Sequence, residues 1–538
     1  MSLRFRKKIQ EMLRKVNSKS QVTGQESGVS GKNPVLLCIL SGLLLALPFN
    51  NGELWIFSWF GFVPAFFALN NKSRKEAFFL FFITGIIFWW GSIYWLVHVT
   101  LAGTIILVSY LALYFAIFGL IIRPRTKQSD PYALLFIPSV WVILEYIRGY
   151  LLTGFPWAIL GCSQYLNLPV IQIADITGAK GISFLLVLAN VAIVEIIWSA
   201  KRRLRLRLRI TVGLLALFLF ITLYYGYYRL SQSPRVPESR SQVRISVIQG
   251  NIAQELKWDP QARGYIVEKY LTLSKQALLD KADFIVWPEA ALPVIPEEEP
   301  QLFEEVRYFA KDTGIPLLLG AVTVRGAGYY NSALLISGAG EALFNYNKIH
   351  LVPFGEYIPL RKLLPFLETI VPIGDVEAGK EYAVFRIPNP KSQIPDFSVL
   401  ICFEDVFPEL SRRFVRQGAG FLVNITNDGW YKETPAAYQH LQASVLRAVE
   451  NRVFLVRCAN TGVSAFINPL GKITATVHNQ AGKEIFIDGY KTDEIAVLKR
   501  PLSFYTRFGD IFVLVCLFFV LGGIIKTKKV KAKRQKLN

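Results

Sequence analysis

A carboxylate, an ammonium and a thiol stand in three separated peptides in the second half of this sequence. Glu289 lies in Val286-Trp287-Pro288-Glu289-Ala290, Lys348 in the stretch Asn347-Lys348-Ile349-His350 that runs on to Gly355-Glu356-Tyr357, and Cys402 in Ile401-Cys402-Phe403-Glu404-Asp405. Each follows an apolar run, so each is expected at or just past the end of a strand. As a set they supply a general base, an oxyanion donor and a nucleophile, the parts needed to attack a carbonyl through a covalent thioester. Singly, each has a bland reading: a strand-end surface acid, a solvated lysine, a buried thiol. A free cysteine titrates near about 8.5, so attack near neutral pH needs a neighbouring base or cation. A helical stretch over 404–412 would place Cys402 at a helix N-terminus and lower its pKa.

Residues so far apart in sequence need a scaffold that gathers strand ends. From Ser241 onward, short β-branched runs alternate with helical stretches. Val243–Ile248, Phe284–Trp287, Pro316–Val322, Ala333–Ile336, Ala342–Tyr346, Phe397–Cys402, Phe421–Ile425 and Val453–Val456 read as strands. Gln261–Asp280, Leu302–Asp312 and Ala436–Asn451 read as helices. This alternation predicts an α/β layered sandwich, a scaffold that presents its chemistry at strand ends.

The first half is of another kind. The chain has 538 residues, 52% of them hydrophobic, and a mean hydropathy of +0.35, too apolar for an ordinary soluble enzyme. A bilayer crossing takes roughly 20 apolar residues. Spans are expected near 34–50, 54–70, 77–97, 103–122, 132–150, 181–199, 210–229 and 508–525, about eight in all. The first two are short and are joined by Asn50-Asn51-Gly52-Glu53, which suggests a helical hairpin. A cleaved signal peptide is the alternative for the first, but a long arm precedes it and no small-x-small cleavage site follows.

The net charge of +21 invites a nucleic-acid reading, yet Lys and Arg cluster at span ends. They occupy the N-terminal arm (Arg4, Arg6, Lys7, Lys8), the loops at 71–76 and 123–131, the segment Lys201–Arg209 and the tail from Lys526. With eight spans these segments share one side, which the positive-inside rule makes cytoplasmic. Only Lys180 breaks the pattern. The Arg-Leu alternation at Arg203–Arg209 suits a juxtamembrane segment on anionic lipid better than a nucleic-acid arm. The expected organisation is therefore a basic cytoplasmic arm (1–33), a membrane domain of about seven helices (34–229), an exported α/β catalytic domain (230–502), a C-terminal membrane helix (508–525) and a basic cytoplasmic tail (526–538).

Five cysteines give little support for a disulfide framework. Cys38, Cys162 and Cys516 lie in or beside apolar spans, and only Cys402 and Cys458 belong to the outer domain, where a bridge between them is the one possible pairing. The four histidines show no metal-ligand spacing, and no cofactor is required by the chemistry. Within one span, Glu145 and Arg148 sit about a helical turn apart, as a buried ion pair or a head-group contact.

The combination Trp-Pro-Glu, then Lys, then Cys-aromatic-Glu resembles the nitrilase, or carbon-nitrogen hydrolase, superfamily from about Val243 to Ile495, with its Glu-Lys-Cys triad in an αββα sandwich. Nearly all of 34–525 is similar to the apolipoprotein N-acyltransferase family within it. The marks are Gln249-Gly250-Asn251-Ile252 with Lys257-Trp258, Pro353-Phe354-Gly355-Glu356-Tyr357, Asn427-Asp428-Gly429-Trp430-Tyr431, Gln439-His440, Glu145-Tyr146-Ile147-Arg148-Gly149 and Thr153-Gly154-Phe155-Pro156-Trp157. The resemblance implies a multi-pass bacterial inner-membrane enzyme, its catalytic domain on the periplasmic face and both termini cytoplasmic.

It further implies ping-pong transfer of an sn-1 acyl chain from a phospholipid, commonly phosphatidylethanolamine, through a Cys402 thioester. The acceptor is the α-amino group of an S-diacylglyceryl cysteine on a lipoprotein. Glu356 and Glu404 match acidic positions that orient Lys348 and tune proton movement, and the Phe403 N–H is the expected second oxyanion donor. Phe403 stands where the family often has Tyr. Trp258 matches a tryptophan near the substrate entrance, with packing as its other reading. Val352–Leu364 and Trp430-Tyr431 are either loops dipping into the interface or core. A single chain holds every required part, so a monomer is expected. Two other function classes keep the same residues: a membrane-anchored amidase that hydrolyses its thioester, and a non-catalytic membrane protein with a nitrilase-like sensor domain.

Overall fold

Long apolar runs in lipid must satisfy their own backbone N–H and C=O groups, and a helix does so within one segment. The computed structural model describes residues 33–126, 132–232, 242–353, 355–357, 376–387, 394–497 and 501–535. Helix α1 (Pro34–Asn50) starts where the Asn33 side chain accepts from the Val35 N–H. The expected second span, 54–70, is not one helix. A 3-10 segment (Gly52–Trp59) leads into a short α2 (Val63–Ala68) with Pro64 in its first turn. A Cβ on Gly61, between them, would lie 2.7 Å from the Leu45 side chain, so the broken segment folds tightly back onto α1.

Helix α3 (Arg74–Ile93) opens with a Ser73/Glu76 capping box, and α4 (Leu101–Thr126), α5 (Ala133–Arg148), α6 (Ala179–Lys201) and α7 (Arg205–Ser231) follow. The last helix is α12 (Ile511–Gln535). Among the described residues, four helical stretches are long and apolar enough to cross a membrane: Arg74–His98, Leu101–Ile122, Ala179–Lys201 and Arg205–Ser231. Pro34–Asn50, Gly52–Ala68, Leu168–Thr177 and Ile511–Lys526 are shorter apolar helices. Lys180, which broke the charge pattern, is buried and paired with Asp510 at 3.0 Å. In the basic segment, Arg207 pairs with Glu195. The N-terminal arm and the extreme C-terminus lie outside the described residues.

The second half forms two sheets. Strands β1 (Gln242–Gln249), β2 (Phe284–Val286), β3 (Leu317–Arg325), β4 (Gly328–Ile336), β5 (Ala342–Asn347) and β11 (Gly489–Ala496) make one, in the order β11-β1-β2-β3-β4-β5. Strands β6 (Phe397–Ile401), β7 (Phe421–Thr426), β8 (Phe454–Ala459), β9 (Ala465–Ile467) and β10 (Ile473–Thr476) make the other, in the order β10-β9-β8-β7-β6. Alternation of side chains along each strand divides the first sheet's residues between two cores. Val243, Ile245, Val247, Phe284, Val286 and Leu318 face the second sheet, where Phe284 meets Phe397 at 5.3 Å between ring centres. Ile248, Ile285, Leu317 and Leu319 face α8 (Arg263–Ala277) and α9 (Pro300–Thr313). The second sheet's outer face is covered by α10 (Pro408–Arg416) and α11 (Ala436–Asn451). The result is the expected αββα sandwich; β9, β10 and β11 were not anticipated.

Helix α11 joins this sandwich to the membrane helices. Every one of its residues except Tyr438 is buried, although half of them are polar. Gln439 donates to the Ser92 carbonyl (2.8 Å) and accepts from the indole N–H groups of Trp95 (3.2 Å) and Trp157 (2.7 Å). Glu450 accepts from the Ala179 N–H at 2.9 Å. Just past the helix, Arg452 reaches Asp175 Oδ2 (2.9 Å) and Gln172 Oε1 (2.6 Å). Removing one partner of a buried charge pair costs about 3–5 kcal/mol, and Asp175 keeps Arg229 at 3.2 Å and the Tyr225 hydroxyl. Arg452→Met is therefore expected at the low end of that range, about 3 kcal/mol, read as a lowered Tm of the detergent-solubilised protein; an unchanged Tm would show that the junction does not depend on this network.

Candidate active site

Strand ends deliver the three reactive groups to one place. Glu289 lies beyond β2, where the chain crosses close to β3: the Gly320 N–H donates to the Pro288 carbonyl (3.1 Å), and a Cβ on Gly320 would lie 2.4 Å from the Ala290 nitrogen and 2.6 Å from the Glu289 Cα. Only glycine permits that approach. Lys348 is the first residue past β5, its N–H donating to the Asn331 carbonyl at 2.8 Å. Cys402 follows β6 directly with φ of +52°, a left-handed conformation costing on the order of 1–3 kcal/mol in a non-glycine residue. The turn is held by Asn424, whose Nδ2 donates to the Cys402 carbonyl at 3.1 Å, and by Glu404, which accepts from the Ile401 N–H at 2.7 Å.

Lys348 is 1% exposed and lies between two carboxylates, with Nζ 3.4 Å from Glu289 Oε1 and 2.9 Å from Glu356 Oε1. Asn331 Nδ2 bridges the same two oxygens at 2.8 Å each. Burial pushes the Lys348 pKa down, but Glu356 and Glu289 outweigh it, so the ammonium keeps its charge. Burial raises the Glu289 carboxyl, while Lys348 and Lys257, with hydrogen bonds from Asn331 and Cys402, more than offset this and hold it below the usual carboxylate range. Lys257, itself buried, donates to the Glu289 backbone carbonyl at 2.8 Å; burial brings its pKa down to about 8, against the pull of Glu289 and Cys402. Cys402 behaves oppositely to expectation. It opens a five-residue 3-10 turn (Cys402–Val406), not an α-helix, and burial followed by the Glu289 charge lifts its thiol well above the ordinary value, with Lys348 opposing only in part. An ionised base therefore stands beside a protonated thiol and a charged lysine.

Below the nucleophile lies a buried set of four charges. Arg457 reaches Asp405 Oδ2 (3.2 Å), Asp428 Oδ2 (3.0 Å) and Asn424 Oδ1 (2.7 Å). His440 lies between the same two aspartates, and Ser444 donates to Asp405. The membrane half closes the site from above: Trp157 stacks on Phe403 at 6.0 Å and sits 5.3 Å from the His440 ring, and the Thr153 carbonyl lies 3.2 Å from His350 Nε2.

Two family profiles divide the chain at the boundary between these halves. The Apolipoprotein N-acyltransferase N-terminal domain matches residues 41–192 and the Carbon-nitrogen hydrolase domain residues 244–497. The apolipoprotein N-acyltransferase of Geobacter metallireducens is 40% identical over 499 residues, covering 89% of this chain and 92% of the relative. The chain belongs to the apolipoprotein N-acyltransferase family. The enzymes of that name from Pasteurella multocida and Chlorobaculum tepidum are each 29% identical, the first over 90% of this chain and 94% of its own length, the second over 93% and 97%. Among solved structures, an amidase from Nesterenkonia sp. matches 49% of this chain and 94% of its own, at 21% identity and a TM-score of 0.36.

For this member of the family, the structure brings Glu289, Lys348, Cys402 and Glu356 together as expected, with Glu356 directly orienting Lys348. Glu404 has a different task. It is fully buried and accepts from the Tyr346 hydroxyl (2.8 Å) and from the N–H groups of Ile349 (2.7 Å), His350 (3.1 Å) and Ile401 (2.7 Å), so it clamps the Lys348 loop to the nucleophile turn instead of contacting the lysine. Burial raises its pKa to about 7 despite these donors. Phe403 is buried against Phe155, Trp157 and Phe407. Trp258 is 45% exposed and Trp430 53%, so neither is core, while Tyr431 packs on Trp95 at 4.4 Å. Phe354 and 358–364 of the expected interface loop lie outside the described residues.

Cys402 and Cys458 are both free thiols; Cys458 donates weakly to the carbonyls of Ile248 and Val286, away from any bridge. Glu145 and Arg148 do not pair with each other. Glu145 accepts from the Leu160 N–H, and Arg148 donates to the carbonyls of Phe155 and Trp157, so together they fix the segment that covers the site. Sequence reasoning did not assign Asn331, Lys257, Asp405, Asp428, His440 or Arg457 to the site; Asn331 and Arg457 are polar residues inside otherwise apolar strands, while Lys257, Asp405, Asp428 and His440 stood in the peptides that carried the resemblance. Because the Cys402 pKa is raised, the rate of its alkylation by iodoacetamide, followed by mass spectrometry, is expected to keep climbing with pH past about 8.5, the ordinary thiol value; a plateau at or below that pH would mean a preformed thiolate.

Proposed function

We propose that this chain is an apolipoprotein N-acyltransferase working through Glu289, Lys348 and Cys402. Glu289 takes the thiol proton as Sγ attacks the sn-1 ester carbonyl of a phospholipid, phosphatidylethanolamine being the expected donor. The tetrahedral oxyanion is received by the Lys348 ammonium and the Phe403 N–H. Collapse breaks the ester C–O bond, Glu289 returns the proton to the glycerol oxygen, and lysophospholipid leaves a Cys402 thioester. The α-amino group of an S-diacylglyceryl cysteine then attacks that thioester, passing a proton to Glu289. Loss of the sulfur forms the amide, and Glu289 re-protonates the thiolate.

The observation that carries this reading is a base, a cation and a thiol assembled and buried together, with Phe155 and Trp157 of the membrane half packed on the adjoining Phe403. Both substrates are lipids, and the contacts of Trp157 and Phe155 with Phe403 set the site against the helices that would meet them. Segments 34–229 and 508–525 form the membrane domain in this reading, of about eight spans, and 230–502 the catalytic domain, on the periplasmic face of the inner membrane with both termini cytoplasmic. Pairing of Lys180 with Asp510 removes the exception to the charge pattern that supports this orientation. A monomer suffices, because one chain supplies every group in the cycle.

Intact mass of the protein after incubation with a defined phospholipid tests the assignment. Wild type is expected to gain one acyl chain, stable in water and discharged by a diacylated lipopeptide, and Cys402→Ala none. Glu289→Gln is expected to slow acylation by about 10²–10⁴-fold and Lys348→Met by about 10²–10³-fold. An adduct that water removes equally fast with or without the peptide would instead indicate a hydrolase, and acylation of Cys402→Ala would remove the nucleophile assignment.

A further inference from the structure

Among the described residues, the ring nitrogens of His440 meet only acceptors. Its Nδ1 lies 2.9 Å from Asp428 Oδ1, and its Nε2 lies 3.1 Å from the Cys402 carbonyl oxygen and 2.8 Å from Asp405 Oδ1. A carbonyl has no proton to give, and His440 and Arg457 hold the Asp428 carboxyl below its usual range, so both ring nitrogens must carry protons. Burial and the neighbouring Arg457 push the imidazole pKa down, yet Asp405 and Asp428 outweigh them and lift it to about 9. Of the two oxygens near Nε2, the Cys402 carbonyl is the one aligned for a hydrogen bond, while Asp405 Oδ1 receives none.

That carbonyl and the Phe403 N–H are the two ends of one peptide group, whose resonance transmits polarisation from oxygen to nitrogen. A cation donating to the oxygen makes the N–H a stronger donor at the other end, and Asn424 adds a second hydrogen bond at 3.1 Å. The Phe403 N–H lies in the first turn of the 3-10 segment, where N–H groups have no intrahelical acceptor and remain free for another. Resting on the acyl-transfer reading above, we propose that His440 is a positioning residue whose imidazolium, fixed by Asp428, Asp405 and Arg457, polarises the 402–403 peptide to receive the tetrahedral oxyanion. It acts through the backbone and touches no substrate atom. The Trp157 ring beside His440 shields this charge from water and so from dielectric screening.

A long-chain fatty aldehyde isolates the effect in the full-length protein in detergent. Cys402 Sγ bonds to the aldehyde carbon, the thiol proton passes to Glu289, and the former carbonyl oxygen takes the oxyanion position. The matching fatty alcohol binds without forming that centre, and iodoacetamide alkylates the thiol without using it. Outright loss of an oxyanion donor costs about 100- to 1,000-fold, so exchanging the imidazolium for a neutral donor in His440→Gln is expected to weaken the aldehyde roughly tenfold. Alcohol affinity should not change, and alkylation, which forms no oxyanion, should fall less than aldehyde affinity. An unchanged aldehyde affinity, or an equal loss of alkylation, overturns the proposal.

NMR of histidine-labelled wild type near pH 7 needs no substitution: both His440 nitrogens are expected protonated, and a bare ring nitrogen overturns the proposal even if the variant does not fold. If wild type takes up neither aldehyde nor a phospholipid acyl chain, the acyl-transfer reading fails and this inference with it. If it takes up both and His440→Gln matches it, only the polarisation fails.

Discussion

A polar helix placed between two bodies must find a partner for every hydrogen-bonding group it buries, and α11 meets that demand from both sides at once. Toward the sandwich, His440 and Ser444 reach the aspartates beneath Cys402. Toward the membrane helices, Gln439, Gln442 and Glu450 bind Ser92, Trp95, Trp157, Pro48 and Ala179. Neither half could be removed without orphaning these groups. The catalytic sandwich is therefore docked on the membrane helices by the same helix that underpins its nucleophile, and the relation between lipid and thiol is set by side-chain geometry along one short element.

Charge balance follows the same logic within the site. Burying an ion costs several kcal/mol unless it is paired and hydrogen-bonded. Lys348 sits between Glu289 and Glu356 with Asn331 bridging them, while Arg457 and His440 sit between Asp405 and Asp428. The first cluster is poised for proton movement because its base is ionised beside a protonated thiol. The second holds fixed charge below the turn that presents the thiol. Glu404 links the two by binding backbone from both the lysine loop and the nucleophile turn.

Residue type and order were enough to bring Glu289, Lys348 and Cys402 together, because reactive groups placed just past apolar strands leave a local signature, whereas Glu356 came only through the resemblance. Strands with continuous apolar runs were legible for the same reason. Strand β11 was not, since Gly489–Ala496 is mostly polar and becomes a strand by pairing antiparallel with β1. Side-chain direction was equally hidden. Glu404 looked like a partner for Lys348, yet only the fold reveals that it turns toward backbone N–H groups, and Asn331 acquires meaning only once the β4–β5 register puts it over Lys348. The interrupted 54–70 segment shows the limit of counting apolar residues: composition sets how greasy a stretch is, while Gly61 and Pro64 decide that it bends.

The buried, protonated state of Cys402 also bears on its chemical durability. Oxidants attack the thiolate far faster than the thiol, and sulfenic acid formation begins with that attack. A thiol whose own surroundings keep the proton on rests in the form least open to peroxide or to mixed-disulfide formation. The burial and charge that hold the proton on Cys402 thereby also shield it from oxidation.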